Sequence, residues 1–232
     1  MGEFDGRAVV VTGGTGALGS AVVARLLDAG AECWIPVLHE RELKRFGYAE
    51  HERVHLEMNM DLCDEAAVGS FYAKPGALWA SVHIAGGFAM APIAETTLEQ
   101  WRSMMDMNAT TCFLSCRAAA RRFTQAGAGG RIVNVAAKPA LVPTGSMAAY
   151  AASKSAVASL TVSLAEELAG DGVWVNAVVP SIMDTPANRR AMPDADHGAW
   201  PAVDDVAATI VFLASPGNRA TRGGLVPVYG RS

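Results

Sequence analysis

Residues 9–19 read Val9-Val10-Val11-Thr12-Gly13-Gly14-Thr15-Gly16-Ala17-Leu18-Gly19, and this segment is the strongest indication of the fold class. Its three β-branched residues are typical of a short buried strand, and a helical pattern begins directly after the glycines. Glycines permit a tight turn and let backbone N–H groups approach a phosphate at the positive end of the helix dipole. The stretch therefore predicts a strand–turn–helix unit that binds a dinucleotide phosphate, and a glycine-rich turn without a ligand is the alternative.

The rest of the chain repeats the alternation of short β-branched runs with longer helical patterns. Predicted strands cover 8–12, 33–38, 54–60, 78–85, 131–135, 173–178 and 225–228, and predicted helices cover 17–29, 64–73, 97–126, 150–169 and 204–214. Strands that alternate with helices indicate right-handed βαβ units and a parallel sheet covered on both faces. The fold class is thus α/β, a Rossmann-like doubly wound parallel sheet of about seven strands, in a single domain spanning 1–232.

Composition excludes several other classes of protein. The 232 residues carry a formal net charge of −4 and no basic tract, which argues against a nucleic-acid or anionic-membrane partner. Charges or prolines interrupt every apolar run before it reaches membrane-spanning length, and the first residues from Met1 lack the pattern of a secretory leader. We therefore expect a cytoplasmic protein. Its four cysteines have no metal-ligand spacing, and Cys112 and Cys116 are interpreted as reduced core thiols.

A second motif, Tyr150-Ala151-Ala152-Ser153-Lys154, supplies acid–base chemistry. Residues four apart on a helix share a face, so the ammonium of Lys154 can lie near the phenol of Tyr150. A nearby positive charge favours the phenolate, and the pKa of Tyr150 is therefore predicted to fall from its usual value of about 10. The alternative for such a pair alone is a solvated tyrosine and lysine on a helix surface.

Together these motifs resemble the short-chain dehydrogenase/reductase family, and the resemblance runs over nearly the whole chain. The matching elements are the turn at 12–19, the pairs Asp61-Leu62 and Ala85-Gly86, Trp101, Asn108, Tyr150 with Lys154, and Pro180 with Thr185. The resemblance implies an NAD(P)-dependent oxidoreductase that transfers a hydride between nicotinamide and a small carbonyl, alcohol or conjugated substrate. It also implies a homodimer or homotetramer, with no metal at the site.

The resemblance carries over residue by residue to this chain. The catalytic set is Tyr150, Lys154 and Asn108, with Asn108 supporting Lys154 through a water, whereas a hydrogen-bonding role inside a helix is the alternative for Asn108. The implied cofactor-binding residues are Gly13, Thr15, Gly16, Ala17, Leu18, Gly19, Asp61, Leu62, Ala85, Gly86, Tyr150, Lys154, Pro180, Ile182 and Thr185.

Several positions depart from the family pattern. Most important, the serine that normally stands thirteen residues before the tyrosine is Ala137, and His83 with Ile84 replaces two asparagines. An alanine offers no hydrogen bond to a substrate oxygen, and losing one such donor can cost roughly 10²–10³ in rate. Ser146 or a water can take over this role, the substrate can be a conjugated system, or the chain can be a weakly catalytic nucleotide-binding regulatory protein. Lys138 is a candidate contact for an anionic group, or a solvated loop lysine.

Within the family the chain shows a closer resemblance to dihydropteridine reductase-like members. It rests on Ala85-Gly86-Gly87-Phe88, on the Ala137-Lys138 pair and on the segment from Asp184 to Trp200. Those enzymes also have alanine at the position of Ala137, so reduction of a quinonoid dihydropterin is the alternative function. Met183, Met192, Trp200, Arg189 and Arg190 on one side, with Phe88 and Met90 on the other, are the candidate walls of the substrate pocket.

The end of the second predicted strand bears on the cofactor. Members that prefer NAD usually place an acid there to bind the ribose 2′-hydroxyl, but this chain has Val37 followed by Leu38-His39-Glu40-Arg41. The missing acid removes repulsion of a 2′-phosphate, and His39, Arg41 or Lys44 can supply positive charge. NADP(H) is therefore mildly favoured over NAD(H), and Glu40 as a displaced ribose ligand keeps NAD(H) open.

Overall fold

A computed structural model describes residues 2–142 and 144–232; Met1, the first residue of the predicted domain, lies outside them. The strands form one seven-stranded sheet, parallel throughout, in the order β3-β2-β1-β4-β5-β6-β7. Their bounds are β1 Ala8–Thr12, β2 Glu32–Val37, β3 Val54–Met58, β4 Leu78–His83, β5 Gly130–Val135, β6 Val173–Pro180 and β7 Leu225–Val228. The predicted parallel α/β sheet is confirmed, and each predicted strand lies within a few residues of its observed bounds.

Helices cover both faces of the sheet. Their bounds are α1 Ala17–Asp28, α2 Glu65–Tyr72, α3 Leu98–Met104, α4 Thr111–Ala126, α5 Ala148–Glu167, α6 Pro186–Ala191 and α7 Val203–Ala214. The predicted helix over 97–126 is observed as α3 and α4 joined by a π-helical turn at Met105–Thr110. A capping box of Thr97 and Gln100 begins α3. None of the helices in the described part of the chain is long and apolar enough to cross a membrane.

The apolar core has two halves, one on each face of the sheet. One half joins α1 and α7 to the sheet through fully buried side chains such as Val22 and Ile210. The other half joins α2, α4 and α5 to the opposite face and contains the buried thiols of Cys112 and Cys116. Central strands read as continuous apolar runs because both of their faces are covered.

The sheet topology positions the site. The chain moves outward from β1 to β3 on one side and then returns to β4 on the other, so the strand order reverses between β1 and β4. In doubly wound sheets the crevice for a ligand opens at the carboxyl ends of the strands beside this reversal. The glycine turn after β1 and the Ala85-Gly86 pair after β4 therefore meet at one edge of the sheet.

Candidate active site

The turn after β1 is built around glycines that no larger residue can replace. Gly13 has a φ of +68°, and a Cβ added there would lie 2.7 Å from the backbone nitrogen of Ala85. A Cβ on Gly19 would lie only 2.1 Å from the carbonyl oxygen of Gly13. Gly16 is the N-cap residue of α1, and no side chain caps that helix. Because no side chain caps α1, its first N–H groups are available at the mouth of the crevice, as binding of a dinucleotide phosphate requires.

A cleft of about 1320 Å³ opens over this turn. Most of the predicted cofactor-binding residues line it, namely Gly13, Thr15, Gly16, Ala17, Leu18, Gly19, Asp61, Leu62, Ala85, Gly86 and Thr185. Pro180 lies buried at the end of β6, and Ile182 is exposed just beyond it. The sequence reasoning missed Cys63, which also lines the cleft and whose backbone N–H donates to the carboxylate of Asp61 at 2.8 Å.

Positive charge collects at one end of the cleft, beyond β2. Arg41, Lys44 and Arg45 belong to a 3₁₀ helix at Glu40–Arg45, and all three line the cleft. The acid that faces the glycine turn is Glu42, which accepts a hydrogen bond from Thr15 Oγ1 at 2.9 Å and another from the backbone N–H of His39. Glu42 rather than Glu40 is therefore the carboxylate beside the turn, which sequence reasoning missed because the two acids are only two residues apart and the 3₁₀ helix points them in different directions.

Lys154 is buried on α5, directly behind the floor of the cleft. Its ammonium donates to the carbonyl oxygen of Val135 at 2.8 Å, and a Cβ added to Gly86 would lie 3.3 Å from its Nζ atom. Burial away from water lowers the pKa of Lys154 to about 8. Among the described residues, none of the ion pairs found includes Lys154. Its charge is thus held next to the glycine floor by a single carbonyl.

Tyr150 lies one turn before Lys154, at the start of α5. Its ring packs edge-on against Phe88, with ring centroids 5.0 Å apart. Burial raises the pKa of Tyr150 to about 12. The prediction that Lys154 lowers this pKa is therefore wrong, because the loss of solvation on burial governs the pKa of Tyr150 and the ammonium of Lys154 is bonded to Val135 instead.

Asn108 lies within the π-helical turn, and its amide fixes the backbone next to the floor of the cleft. Its Oδ1 accepts from the N–H of Gly87 at 3.1 Å, and its Nδ2 lies 3.1 Å from the carbonyl oxygen of Gly87. The same Nδ2 lies 3.1 Å from the hydroxyl of Ser153, which neighbours Lys154. A π turn brings a side chain out of register with the helix and is frequent at functional sites. Asn108 therefore connects the Gly87 loop to α5.

The position of the missing serine is occupied by the methyl group of Ala137, just after β5. Ala137 is buried in extended backbone, and Lys138 begins a short 3₁₀ helix behind it. The ammonium of Lys138 lies 5.0 Å from the ring centroid of Tyr229, in cation–π contact. Ser146, a candidate replacement, lies in a separate small pocket beside Met90, where its carbonyl accepts from the N–H of Ala91.

The segment after β6 covers the other side of the cleft. Thr185 is buried and caps α6 by accepting from the N–H of Asn188 at 3.1 Å. Asp184 and Arg189 form an ion pair at 2.6 Å. Of the two arginines predicted to line the substrate pocket, Arg189 is therefore already paired with a carboxylate. Trp200 packs against His197, and Met183 packs on the core. Phe88 and Met90, the candidates for the opposite wall, are both exposed, and Met90 lines the separate small pocket that contains Ser146.

Comparison with known proteins agrees with this geometry. The family described as short chain dehydrogenase matches residues 7–196. A (5R,7aS)-5-hydroxy-7a-methyl-1-oxo-2,3,5,6,7,7a-hexahydro-1H-indene-carboxyl-CoA reductase of Mycobacterium tuberculosis is 36% identical over 98% of this chain and 93% of its own. A cis-4-hydroxycyclohexanecarboxylate dehydrogenase of Sinomonas cyclohexanicum is 32% identical over 99% and 98%. The crystal structure of a short chain dehydrogenase from Mycobacterium smegmatis superimposes with a TM-score of 0.86 at 31% identity, covering 100% of this chain and 95% of that one.

Proposed function

Because the chain belongs to the short-chain dehydrogenase/reductase family, it is an oxidoreductase of alcohol and ketone substrates, and we propose that Tyr150 is its acid–base residue. The observation that carries this proposal is the position of Lys154 Nζ directly behind Gly86, a residue that lines the cleft opened by the glycine turn. We propose that residues 1–232 act as one nucleotide-binding domain around this cleft. These relatives do not support the closer resemblance to dihydropteridine reductases, because they are named as oxidoreductases of other substrates.

A nicotinamide dinucleotide fits the cleft because Gly13 and Gly19 let the turn fold tightly and the N-terminus of α1, which has no side-chain cap, is left to bind a phosphate. When bound, the cofactor supplies or accepts the hydride. The protein's own residues then have separate roles. The turn at 12–19, Asp61, Leu62, Ala85, Gly86, Pro180, Ile182 and Thr185 bind and orient the cofactor. Lys154 places a positive charge under the cleft, and Tyr150 gives a proton to the substrate oxygen or removes one from it.

We propose a ring-bearing secondary alcohol or the matching ketone as substrate. The indene-carboxyl-CoA reductase and the hydroxycyclohexanecarboxylate dehydrogenase both carry ring substrates in their names. The exposed side chains of Phe88, Met90 and Ile93, on the segment after β4, offer apolar surface to such a ring. A quinonoid pterin is the second candidate, and it is favoured by Ala137 alone, since a conjugated acceptor depends less on a hydroxyl at that position.

Changing Ala137 to serine separates these two candidates. We expect the variant to reduce simple cyclic ketones about tenfold faster or more, because the new hydroxyl donates to the substrate oxygen. A quinonoid dihydropterin should gain little. Ala140→Ser, which adds a hydroxyl to the half-buried 3₁₀ helix nearby, is the matched control and should change neither rate. Steady-state kcat/KM for both substrates is the measurement, and equal gains on both, or none on ketones, would refute this account.

We further propose that NADP(H) is preferred over NAD(H). The support is the row of three cations, Arg41, Lys44 and Arg45, at the end of the cleft beyond β2. A 2′-phosphate placed there meets guanidinium and ammonium groups, which bind phosphate oxygens through charge-assisted hydrogen bonds. Glu42 opposes this preference, but its carboxylate is already bonded to Thr15 and His39.

Removing these charges should weaken NADPH selectively. We expect the triple variant Arg41→Ala, Lys44→Ala, Arg45→Ala to raise the Kd of NADPH by about tenfold or more, since one charge-assisted bond contributes roughly 1.5–3 kcal/mol. The Kd of NADH should change little. Arg219→Ala, an exposed arginine outside the cleft lining, is the control. Fluorescence titration measures the Kd of both cofactors. An equal loss of affinity for NADH would show that the three cations do not bind the 2′-phosphate.

A homo-oligomer is also proposed. The support is exposed apolar surface on the two long helices, where Phe113 of α4 and Val162 of α5 remain 46% and 38% exposed. Side chains of this kind on neighbouring helices are typical of surfaces that pack against a second copy.

A further inference from the structure

Behind the active site, three side chains with metal-binding atoms meet inside the core. His83 is the last residue of β4, and Cys112 and Cys116 lie one turn apart on α4. All three are buried, and their ligand atoms lie within 4.8 Å of one another. The two sulfur atoms are 3.9 Å apart, and the Cys116 sulfur is 3.4 Å from Nδ1 of His83. The reaction proposed above gives these residues no role.

We propose that His83, Cys112 and Cys116 form a structural zinc site. In a tetrahedral site the Zn–S distance is about 2.3 Å and the Zn–N distance about 2.0–2.1 Å, which places two sulfurs roughly 3.8 Å apart and a sulfur and a nitrogen roughly 3.6 Å apart. The separation of the two sulfurs and that of the Cys116 sulfur from Nδ1 differ from these values by about 0.1–0.2 Å. The Cys112 sulfur lies within 4.8 Å of the imidazole nitrogen, so a small side-chain rotation lets one ion contact all three atoms.

The atoms around the cluster hold these ligands in place. Asn134 on β5 accepts a hydrogen bond from Nδ1–H of His83 at 2.8 Å, and its Oδ1 lies 3.4 Å from the Cys116 sulfur. When Nδ1 binds the metal, its proton moves to Nε2 and this hydrogen bond is lost, so the freed Oδ1 is the candidate for the fourth ligand. Its amide nitrogen donates to Thr161 at 2.9 Å, which turns the oxygen towards the cluster. The other ring nitrogen of His83 lies 2.7 Å from the hydroxyl of Ser81. Metal-ligating histidines commonly make such a bond through the second nitrogen.

Charge balance favours zinc in this core. Binding removes one proton from each cysteine, and the two thiolates then neutralise the two charges of Zn²⁺ while His83 and Asn134 stay neutral. The bound site has no net charge, so the cost of burying an uncompensated ion is avoided. Sulfur and imidazole ligands select zinc over magnesium and calcium, which prefer oxygen. With its ligands supplied by the protein and no opening to solvent, the site is structural rather than catalytic.

The metal would connect three elements that support the cleft. His83 ends β4 just before the Ala85-Gly86 pair, Asn134 lies on β5, and the two cysteines lie on α4 directly after the π turn that carries Asn108. Zinc would therefore fix α4 to the sheet beneath the active site. The site depends only on these buried side chains, so it can be present whatever the enzyme's substrate is.

Zinc content tests the proposal directly. The full chain is produced in zinc-supplemented medium, purified without chelator and analysed by mass spectrometry of its elements. We expect about one zinc per chain in the wild type and in Cys33→Ala, which removes a buried thiol from the other half of the core. Cys112→Ala/Cys116→Ala should retain less than a tenth of that. Wild-type protein without zinc, or a double variant that keeps it, overturns the proposal.

A spectroscopic measurement keeps the test valid if the double variant does not fold. X-ray absorption at the zinc edge of the wild type should show two sulfur neighbours at about 2.3 Å with nitrogen or oxygen at about 2.0–2.2 Å. A shell of oxygen and nitrogen alone places the zinc elsewhere and overturns the proposal. Chelation of the wild type under mildly unfolding conditions should lower its Tm by about 5–10 °C, because an ion that binds only the folded state stabilises it.

Discussion

Tyr150→Phe is expected to lower kcat/KM by about 10²–10⁴-fold, the usual contribution of a positioned acid or base. The variant keeps the aromatic ring, its edge-on packing against Phe88 and the helix start, and it removes only the hydroxyl that exchanges the proton. Cofactor affinity, measured by fluorescence titration, should change far less than turnover. The matched control is Tyr48→Phe, a half-buried tyrosine that packs on Phe46 away from the cleft. A variant that retains more than about a tenth of the wild-type rate would remove Tyr150 from its proposed role.

The raised pKa of Tyr150 also determines how the rates of reduction and oxidation depend on pH. With a pKa of about 12, the phenol stays protonated across the neutral range and is ready to donate. Reduction should therefore be nearly independent of pH between about 6 and 8 as far as Tyr150 is concerned. Oxidation needs the phenolate, whose population rises about tenfold per pH unit below the pKa, so its rate should rise with pH. Rate profiles in both directions check this difference.

The parts of the fold that local sequence determines were predictable. The run Val9–Val11 is apolar throughout because both faces of β1 are covered, and the glycines that follow are required by close backbone approaches within the turn itself. The spacing of Tyr150 and Lys154 places both on one helix regardless of the rest of the chain. The sheet and the cleft residues near its strand ends follow from the same local patterns.

Features that depend on distant contacts were not predictable in this way. The pKa of Tyr150 is set by burial, to which the loop bearing Phe88 contributes, more than sixty positions away in sequence. Glu42 reaches Thr15 only because a 3₁₀ helix folds back over the glycine turn. The two cysteines showed no metal-ligand spacing with a histidine, since His83 joins them from a neighbouring strand through tertiary packing alone. Sequence spacing cannot report such contacts.

Lys154→Met is expected to abolish turnover and at the same time make the protein more stable. The ammonium is buried with a single carbonyl partner, and its pKa falls from 10.5 to about 8. Each pKa unit corresponds to about 1.4 kcal/mol, so holding this charge in the folded protein costs about 3 kcal/mol at neutral pH. Methionine fills similar volume without charge, but it leaves the Val135 carbonyl without its donor, a loss of about 1 kcal/mol. The net expected gain is about 2 kcal/mol.

The pH dependence of this gain follows from the direction of the shift. Between about pH 8 and the unfolded value of 10.5, the unfolded chain binds more protons at Lys154 than the folded protein does, so wild-type stability rises with pH. The cost of Lys154 is thus fully present below about pH 8 and is lost as the pH approaches 10.5. Lys154→Met should therefore raise Tm by about 4–8 °C at neutral pH, and this difference should shrink in alkaline buffer.

Thermal unfolding of both proteins at neutral and alkaline pH measures the effect. Lys74→Met serves as the control, since Lys74 forms an exposed ion pair with Glu57 and such pairs contribute about 0–1 kcal/mol. That variant should show a small loss or no change in Tm. A Lys154→Met protein that is less stable than the wild type at neutral pH would mean that the ammonium is held by more than Val135. The position of Lys154 under the cleft would then cost no stability, although residues required for activity usually reduce the stability of a protein.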